Sequence, residues 1–256
     1  MSKAPTSRID RLLANMGYGS RRDIHALAKL GAITLDGVDV LDADRRIAVT
    51  PDLPGRLSVD GAPLDPPPGL VLMLHKPLGV TCSHKESGPL VYELLPSRWR
   101  RRDPAISTVG RLDKETSGLL LMTDDGALLH RIISPRAKLA KSYLATLARP
   151  LEGGEAETFA AGTLLLEGED KPLLPAALEI LAPTQARLTI TEGRYHQVRR
   201  MFAAVGNHVG ALHRDRVGGL TLPQDLKAGA YRTLDEAAVA AIFGPAEIPY
   251  PQGPGL

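Results

Sequence analysis

The stretch VGRLDKETSGLLLMTDDG, residues 109–126, decides how this chain is read. Asp113 stands between Arg111 and Lys114, Thr116-Ser117-Gly118 follow, and Leu119 to Met122 form an unbroken apolar run. A short apolar run bounded by turn residues predicts a buried strand, with Val109-Gly110 leaving a loop in front of it. Asp124 or Asp125 then predicts the cap of a helix that continues through Ile133 and is ended by Pro135. One carboxylate is therefore set in a basic loop that leads directly into core, which asks for a chemical reason.

The flanking segments predict a sheet around that strand. LVLMLHKPLGVTC (70–82) opens as a buried strand bounded by His75-Lys76-Pro77, and KSYLATL (141–147) alternates so that Tyr143, Ala145 and Leu147 share an inward face. ARLTITEG (186–193) predicts another strand through Leu188 and Ile190. RYHQVRRMFAAVG (194–206) predicts a helix with Val198, Met201, Phe202 and Val205 as its apolar stripe and Gly206 as its stop. On a wheel of about 100° per residue, His196 and Arg200 point away from the stripe and Arg199 lies on its flank. An arginine there is partly desolvated and suits a carboxylate partner, for which Asp113 is the candidate; an arginine snorkelling to solvent explains the position equally well. Strands outnumber helices and do not alternate with them, so the expected class is α+β, a larger mixed, mainly antiparallel sheet with flanking helices.

With 256 residues and 43% hydrophobic content, the chain suffices for a buried core. It has no run of eighteen apolar residues and no apolar leader in MSKAPTSRID, so a cytoplasmic protein without membrane contact is expected. Cys82 is the only cysteine, which excludes an internal disulfide and a multi-cysteine zinc site; it reads as a small apolar filler. The net charge of +2 conceals segregation. Residues 1–35 hold six Lys/Arg against two acids, 98–111 five against one, and 187–216 six against two, whereas 152–179 hold seven acids against one Lys. Folding that gathers the basic segments would give a positive face for a polyanion.

Near the N-terminus, Ser7 predicts a cap for a helix carrying Ile9, Leu12, Leu13 and Met16, stopped by Gly17. Ser20 with Asp23 starts a second helix through Ile24, Leu27 and Ala28, stopped by Gly31. AITLDGVDV then predicts a two-residue hairpin at Asp36-Gly37. Arg8, Arg11, Arg21, Arg22 and Lys29 lie on the helix pair, so the helices are the expected nucleic-acid face. Residues 51–69, with six prolines, predict a stiff extended connector in which GRLSVDG could still be a strand of this module. Helix-turn-helix plus hairpin over residues 7–62 resembles the alpha-L type RNA-binding domain, with a DNA-reading helix-turn-helix as the rival.

GRLDKETSGLLLMTDDG, KSYLATL and EGRYHQVRRMFAAVGNHV closely resemble the three motifs of the pseudouridine synthases of the small-subunit ribosomal RNA type, and the resemblance covers about residues 7–235. It implies an alpha-L domain over 7–62, a proline-rich linker at 63–69, a catalytic domain over 70–244 and a tail at 245–256. The implied reaction isomerises a uridine to pseudouridine without cofactor or metal. Asp113 is the implied nucleophile or base, Arg199 the cation that keeps it ionised, and Tyr143 the ring on which the uracil stacks. Arg111 either fills the space left by the flipped uridine or contacts a phosphate. Large-subunit enzymes commonly read Asn-Arg where this chain has Tyr195-His196, so the resemblance implies 16S rRNA, at the uridine conventionally numbered 516. The expected RNA contacts are Arg8, Arg11, Arg21, Arg22, Lys29, Arg111, His196 and Arg200, and the expected partner is 16S rRNA or a partly assembled small ribosomal subunit. A large-subunit target and a non-catalytic RNA-binding assembly factor are the alternatives. The basic run Arg100-Arg101-Arg102 and the proline-rich tail depart from the family without touching the matched residues.

Other chemistries fit less well. Asp124-Asp125-Gly126 reads as a helix cap before a metal site, and His196, His208 and His213 lack ligand spacing on one helix face. Glu115 lies two residues from Asp113, but a loop fixes no glycosidase geometry between them. No GxxxxGK[ST] is present, which argues against nucleotide hydrolysis. Without a sustained heptad seam, a monomer is expected.

Overall fold

The computed structural model describes residues 4–83 and 88–244; the tail expected at 245–256 lies outside the described residues. The chain divides into two compact units. The first runs to Val71 and adds Tyr92–Ser107 and Met122–Leu128; the second comprises Leu72–Val91, Thr108–Leu121 and the chain from Leu129 onward.

The first unit begins with β1 (Thr6–Arg8), α1 (Ile9–Asn15) and α2 (Arg21–Lys29), followed by β2 (Ile33–Leu35), β3 (Val38–Asp39), β4 (Arg46–Ala48), β5 (Leu57–Val59) and β6 (Ala62–Pro63). β1 pairs with β4, and β3-β2-β5-β6 form a four-stranded sheet. Ile9, Leu12, Leu13 and Met16 from α1 and Ile24 and Ala28 from α2 meet the inward residues of the strands in one core. Ser20 and Asp23 form the expected capping box at α2. Ser7 does not cap α1: it lies in β1, and Arg8 at the cap position makes no side-chain cap bond. The turn at Asp36-Gly37 has positive φ at both residues, as a tight hairpin of this hand requires.

The proline-rich stretch is not an open spacer. Leu53, Leu57, Val59 and Leu64 are all buried in this core, and β5 pairs with β2 at Ile33↔Val59. Alternating apolar residues between the prolines supply enough buried surface to fold the segment in. Asp65 ion-pairs with Arg98 at 2.7 Å, and the Arg98 guanidinium lies 4.1 Å over the Tyr18 ring. Part of the basic loop PSRWRRRDP is thus internal wiring. Its Arg102 is buried against Asp124 at 3.2 Å and donates to the Pro66 carbonyl, while Asp124 accepts from the Gly69 N–H at 2.8 Å. Burial pushes the Asp124 carboxyl up and the Arg102 guanidinium down, each charge offsetting part of the other's cost. Asp125, not Asp124, caps the following helix, accepting from Ala127 and Leu128 N–H.

The second unit is organised by a nine-stranded sheet in the order β11-β12-β10-β13-β9-β7-β15, with β14 paired to β13 and β8 to β9. Its elements are β7 (Val71–Lys76), β8 (Ser107–Val109), β9 (Thr116–Thr123), α3 (Gly126–Ile133), β10 (Lys141–Leu147), α4 (Glu155–Ala160), β11 (Ala177–Ala182), β12 (Gln185–Ile190), α5 (Gln197–Ala204), β13 (Val209–Val217), β14 (Leu220–Thr221), β15 (Tyr231–Thr233) and α6 (Glu236–Ala241). Most pairings are antiparallel, and β13 runs parallel to β9. The α+β class is thereby observed. Among the described residues, no helix is long and apolar enough to cross a membrane.

Replacing Arg102 by Ala strands a buried carboxylate, a change that typically costs about 3–5 kcal/mol. The expected outcome for Arg102→Ala is an unfolding free energy lowered by that amount in a urea titration, with the midpoint falling at an unchanged slope; a loss below about 1 kcal/mol would mean that water already reaches Asp124.

Candidate active site

The site is built where β9 begins. Lys76, the last residue of β7, is fully buried, and its ammonium donates to the carbonyls of Pro77 (3.1 Å), Asp113 (3.0 Å), Lys114 (3.4 Å) and Thr116 (2.8 Å). Burial lowers its pKa, with the nearby Cys82, Asp113 and Glu115 opposing that shift. The Leu112 N–H lies 3.5 Å from the Cys82 sulfur, and Cys82 is otherwise the buried filler expected. Arg199, on α5, holds the same loop: Nη2 donates to the Glu115 carbonyl (2.7 Å) and Nη1 to the Val209 carbonyl (2.8 Å).

Between these clamps the Asp113 carboxylate remains about one-third exposed and faces a cavity of about 770 Å³. The Tyr143 ring, Arg214, Lys141, Arg199 and Tyr195 also line this cavity, and it lies wholly in the second unit. Arg214 is buried, donating through Nε to the Leu119 carbonyl (2.8 Å) and through Nη1 to the Tyr143 hydroxyl (3.4 Å). Lys141 donates to the carbonyls of Leu139 (3.3 Å) and Glu192 (3.4 Å). Burial, then the charge of Arg214, pushes its pKa down to about 8, with Glu192 opposing.

Asp113, Tyr143 and Arg199 are therefore gathered at one cavity, but the expected ion pair between Asp113 and Arg199 is absent. Arg199 spends its donors on backbone carbonyls, and the group beside the carboxylate is His196, whose Nε2 is 3.5 Å from Oδ1. His196 precedes α5 in a left-handed conformation (φ 48°), so the helical wheel does not describe its direction. Arg200, expected to face RNA, is instead tied to Glu169 (2.7 Å) and the Glu167 carbonyl (2.6 Å). Arg8 and Arg21 are likewise committed to the buried Asp10, and Arg8 also to Asp44. Arg11, Arg22, Lys29 and Arg111 are exposed and enter no ion pair among the described residues.

Sequence reasoning missed Lys76, Lys141 and Arg214. The signal was alternation: Lys76 is in phase with Leu72 and Leu74, and Lys141 with Tyr143 and Ala145, so each cation continues an inward-facing series.

The cavity brings together an acid, an aromatic ring and several cations, a constellation whose chemistry suits a nucleotide. The chain belongs to the RNA pseudouridylate synthase family, on its small-subunit branch: the family model for RNA pseudouridylate synthase matches residues 70–204. It is similar to ribosomal small subunit pseudouridine synthase A of Escherichia coli K12, 44% identical over 92% of this chain and 99% of that protein. It is also similar to the protein of the same name from Vibrio cholerae, 40% identical over 92% of this chain and 99% of that one. A solved pseudouridylate synthase shares 35% identity and a TM-score of 0.64, covering 92% of this chain and 99% of its own.

Lys141 is charged at neutral pH and loses its proton as the pH rises through about 8. The cation at the cavity wall is expected to attract the nucleotide, so kcat/KM should fall along an alkaline limb near that pH. Lys141→Arg stays charged throughout, and its limb should move up by more than one pH unit; an unmoved limb would assign it to another group.

Proposed function

We propose that this chain isomerises one uridine of 16S rRNA to pseudouridine, at the position conventionally numbered 516, acting in the cytoplasm as a monomer on the RNA or on a partly assembled small subunit. The observation that carries the reading is Asp113, open to a cavity of about 770 Å³ with Tyr143 in its wall. The small-subunit target is supported by the names of the relatives in Escherichia coli and Vibrio cholerae.

The reaction exchanges bonds without redox change. The bond from the sugar C1′ to N1 of the base breaks, the uracil turns, a bond from C1′ to C5 forms, C5 gives up a proton and N1 takes one. Asp113 serves either as the nucleophile that captures C1′ or as the base that removes a sugar proton. The uridine reaches it by flipping out of its stack, with Arg111 at the mouth. Tyr143 holds the detached uracil by its ring face, a contact that tolerates rotation. Arg199 acts by positioning the Asp113 loop and adding positive potential. The N-terminal unit holds the RNA electrostatically through Arg11, Arg22 and Lys29, while Arg8 and Arg21 stabilise the unit itself through Asp10.

Asp113→Asn is expected to bind rRNA within about two-fold of the parent and to form no pseudouridine. Mapping modified uridines in cells lacking the protein should show a single loss, at position 516 of 16S rRNA. A loss elsewhere would move the target, and product from Asp113→Asn would end the mechanism.

Binding should also follow the free cations. Each phosphate contact removed lowers the logarithmic salt slope by about 0.7–0.9. Arg22→Ala with Lys29→Ala is therefore expected to flatten the slope by about 1.4–1.8, measured by filter binding across salt. An unaltered slope would place the RNA on another face.

A further inference from the structure

Tyr195 is a large aromatic side chain held in the open. It is 70% exposed, yet it lines the mouth of the Asp113 cavity. Its inner face is covered: the His196 ring stacks on it with centroids 3.9 Å apart and planes 15° from parallel. The peptide that carries it is also pinned. Arg200 donates to the Tyr195 carbonyl (3.2 Å), and the Arg194 N–H donates to Gln197 Oε1 (2.9 Å). The Arg194 side chain reaches Glu169, Glu192 and the carbonyls of Lys171 and Pro172. With the backbone beneath it pinned and its inner face stacked on His196, the ring has less freedom to lose on binding, which favours a stacking partner.

We propose that the outer face of Tyr195 is a stacking platform for the nucleobase adjacent to the target uridine. The inference rests on the reading that this site modifies RNA and names a contact beyond the reacting nucleotide. The occupant is fixed by position and charge. His196 bridges the ring to within 3.5 Å of Asp113, so whatever lies on Tyr195 lies next to the reacting sugar along the strand. Arg111 and Lys141 at the same cavity draw a polyanion to it. Base–aromatic stacking is strong and indifferent to base identity, which suits a contact that grips a neighbour while leaving selection of the uridine to the cavity.

The test compares the parent, Tyr195→Ala and Tyr195→Trp on a 16S rRNA fragment holding the target, and on fragments with an abasic sugar on either side of it. Tyr195→Ala should raise KM and Kd about ten-fold, the weight of one stack, with kcat changed less than three-fold and the melting temperature unmoved. Tyr195→Trp should restore both constants. On one of the two abasic RNAs the parent and Tyr195→Ala should become equal, because the partner base is gone. A Tyr195→Ala protein within two-fold of the parent on intact RNA, or a ten-fold gap persisting on both abasic RNAs, would overturn the platform. If the parent forms no pseudouridine in this RNA, the functional reading fails, and the same Kd comparison still decides the stacking claim.

Discussion

The site depends on one buried ammonium. A charged amine taken out of water at the end of an apolar strand is costly unless its donors are used, and Lys76 uses them on carbonyls of the loop that carries Asp113. The interaction works in both directions. The loop carbonyls offset the desolvation cost of the lysine, and the lysine adds to the few backbone bonds that hold the segment, from the Gly79 N–H to the Lys114 carbonyl and the Thr116 N–H to the Asp113 carbonyl. Arg199 repeats the device at Glu115. The position of the carboxylate is thus set through its backbone, by two cations from different parts of the chain.

That arrangement has an electrostatic consequence. An arginine paired bidentately with Asp113 would stabilise the carboxylate but would also occupy the lone pairs that the proposed reaction needs. Cations bonded to the loop carbonyls hold the backbone without covering the carboxylate, whose nearest ionisable neighbour is His196 at 3.5 Å. The positive potential extends to the wall of the cavity through Arg214 and Lys141. The depressed pKa of Lys141 is the cost of that crowding, since burial and the neighbouring Arg214 both work against its proton.

Much of this was legible from period and punctuation. KSYLATL is β10 to the residue, Ser20-Asp23 is the capping box, and the stripe Val198, Met201, Phe202 is buried. These features are local, determined by neighbours in the chain. What escaped is pairwise and distant. Nothing near Arg199 in sequence states that its donors will meet the carbonyls of Glu115 and Val209, nor near Arg98 that Asp65 awaits it. His196 was misplaced for a third reason: a left-handed residue before a helix breaks the angular count on which a wheel relies. Within the proline-rich stretch, GRLSVDG does hold a strand of the first module, while the extended connector expected around it gives way to the buried Leu53 and Leu64, because that expectation weighed composition over the leucines spaced within it.

The parallel pairing of β13 with β9 joins these parts, and one glycine permits it. Register places Leu212 beside Thr116, His213 beside Ser117 and Arg214 beside Gly118. A Cβ at Gly118 would lie 2.2 Å from the Arg214 carbonyl oxygen, and its φ of 113° is outside the range side chains tolerate. Any other residue there forces the strands apart at the point where Arg214 crosses to bond Leu119 and Tyr143. Because α5 leads directly into β13, the same displacement would carry Val209 and Arg199 away from the Glu115 carbonyl. The spacing between the acid and the aromatic wall is therefore set on the backbone by Gly118. This is why a glycine must stand at 118, between Asp113 and the apolar run that follows it.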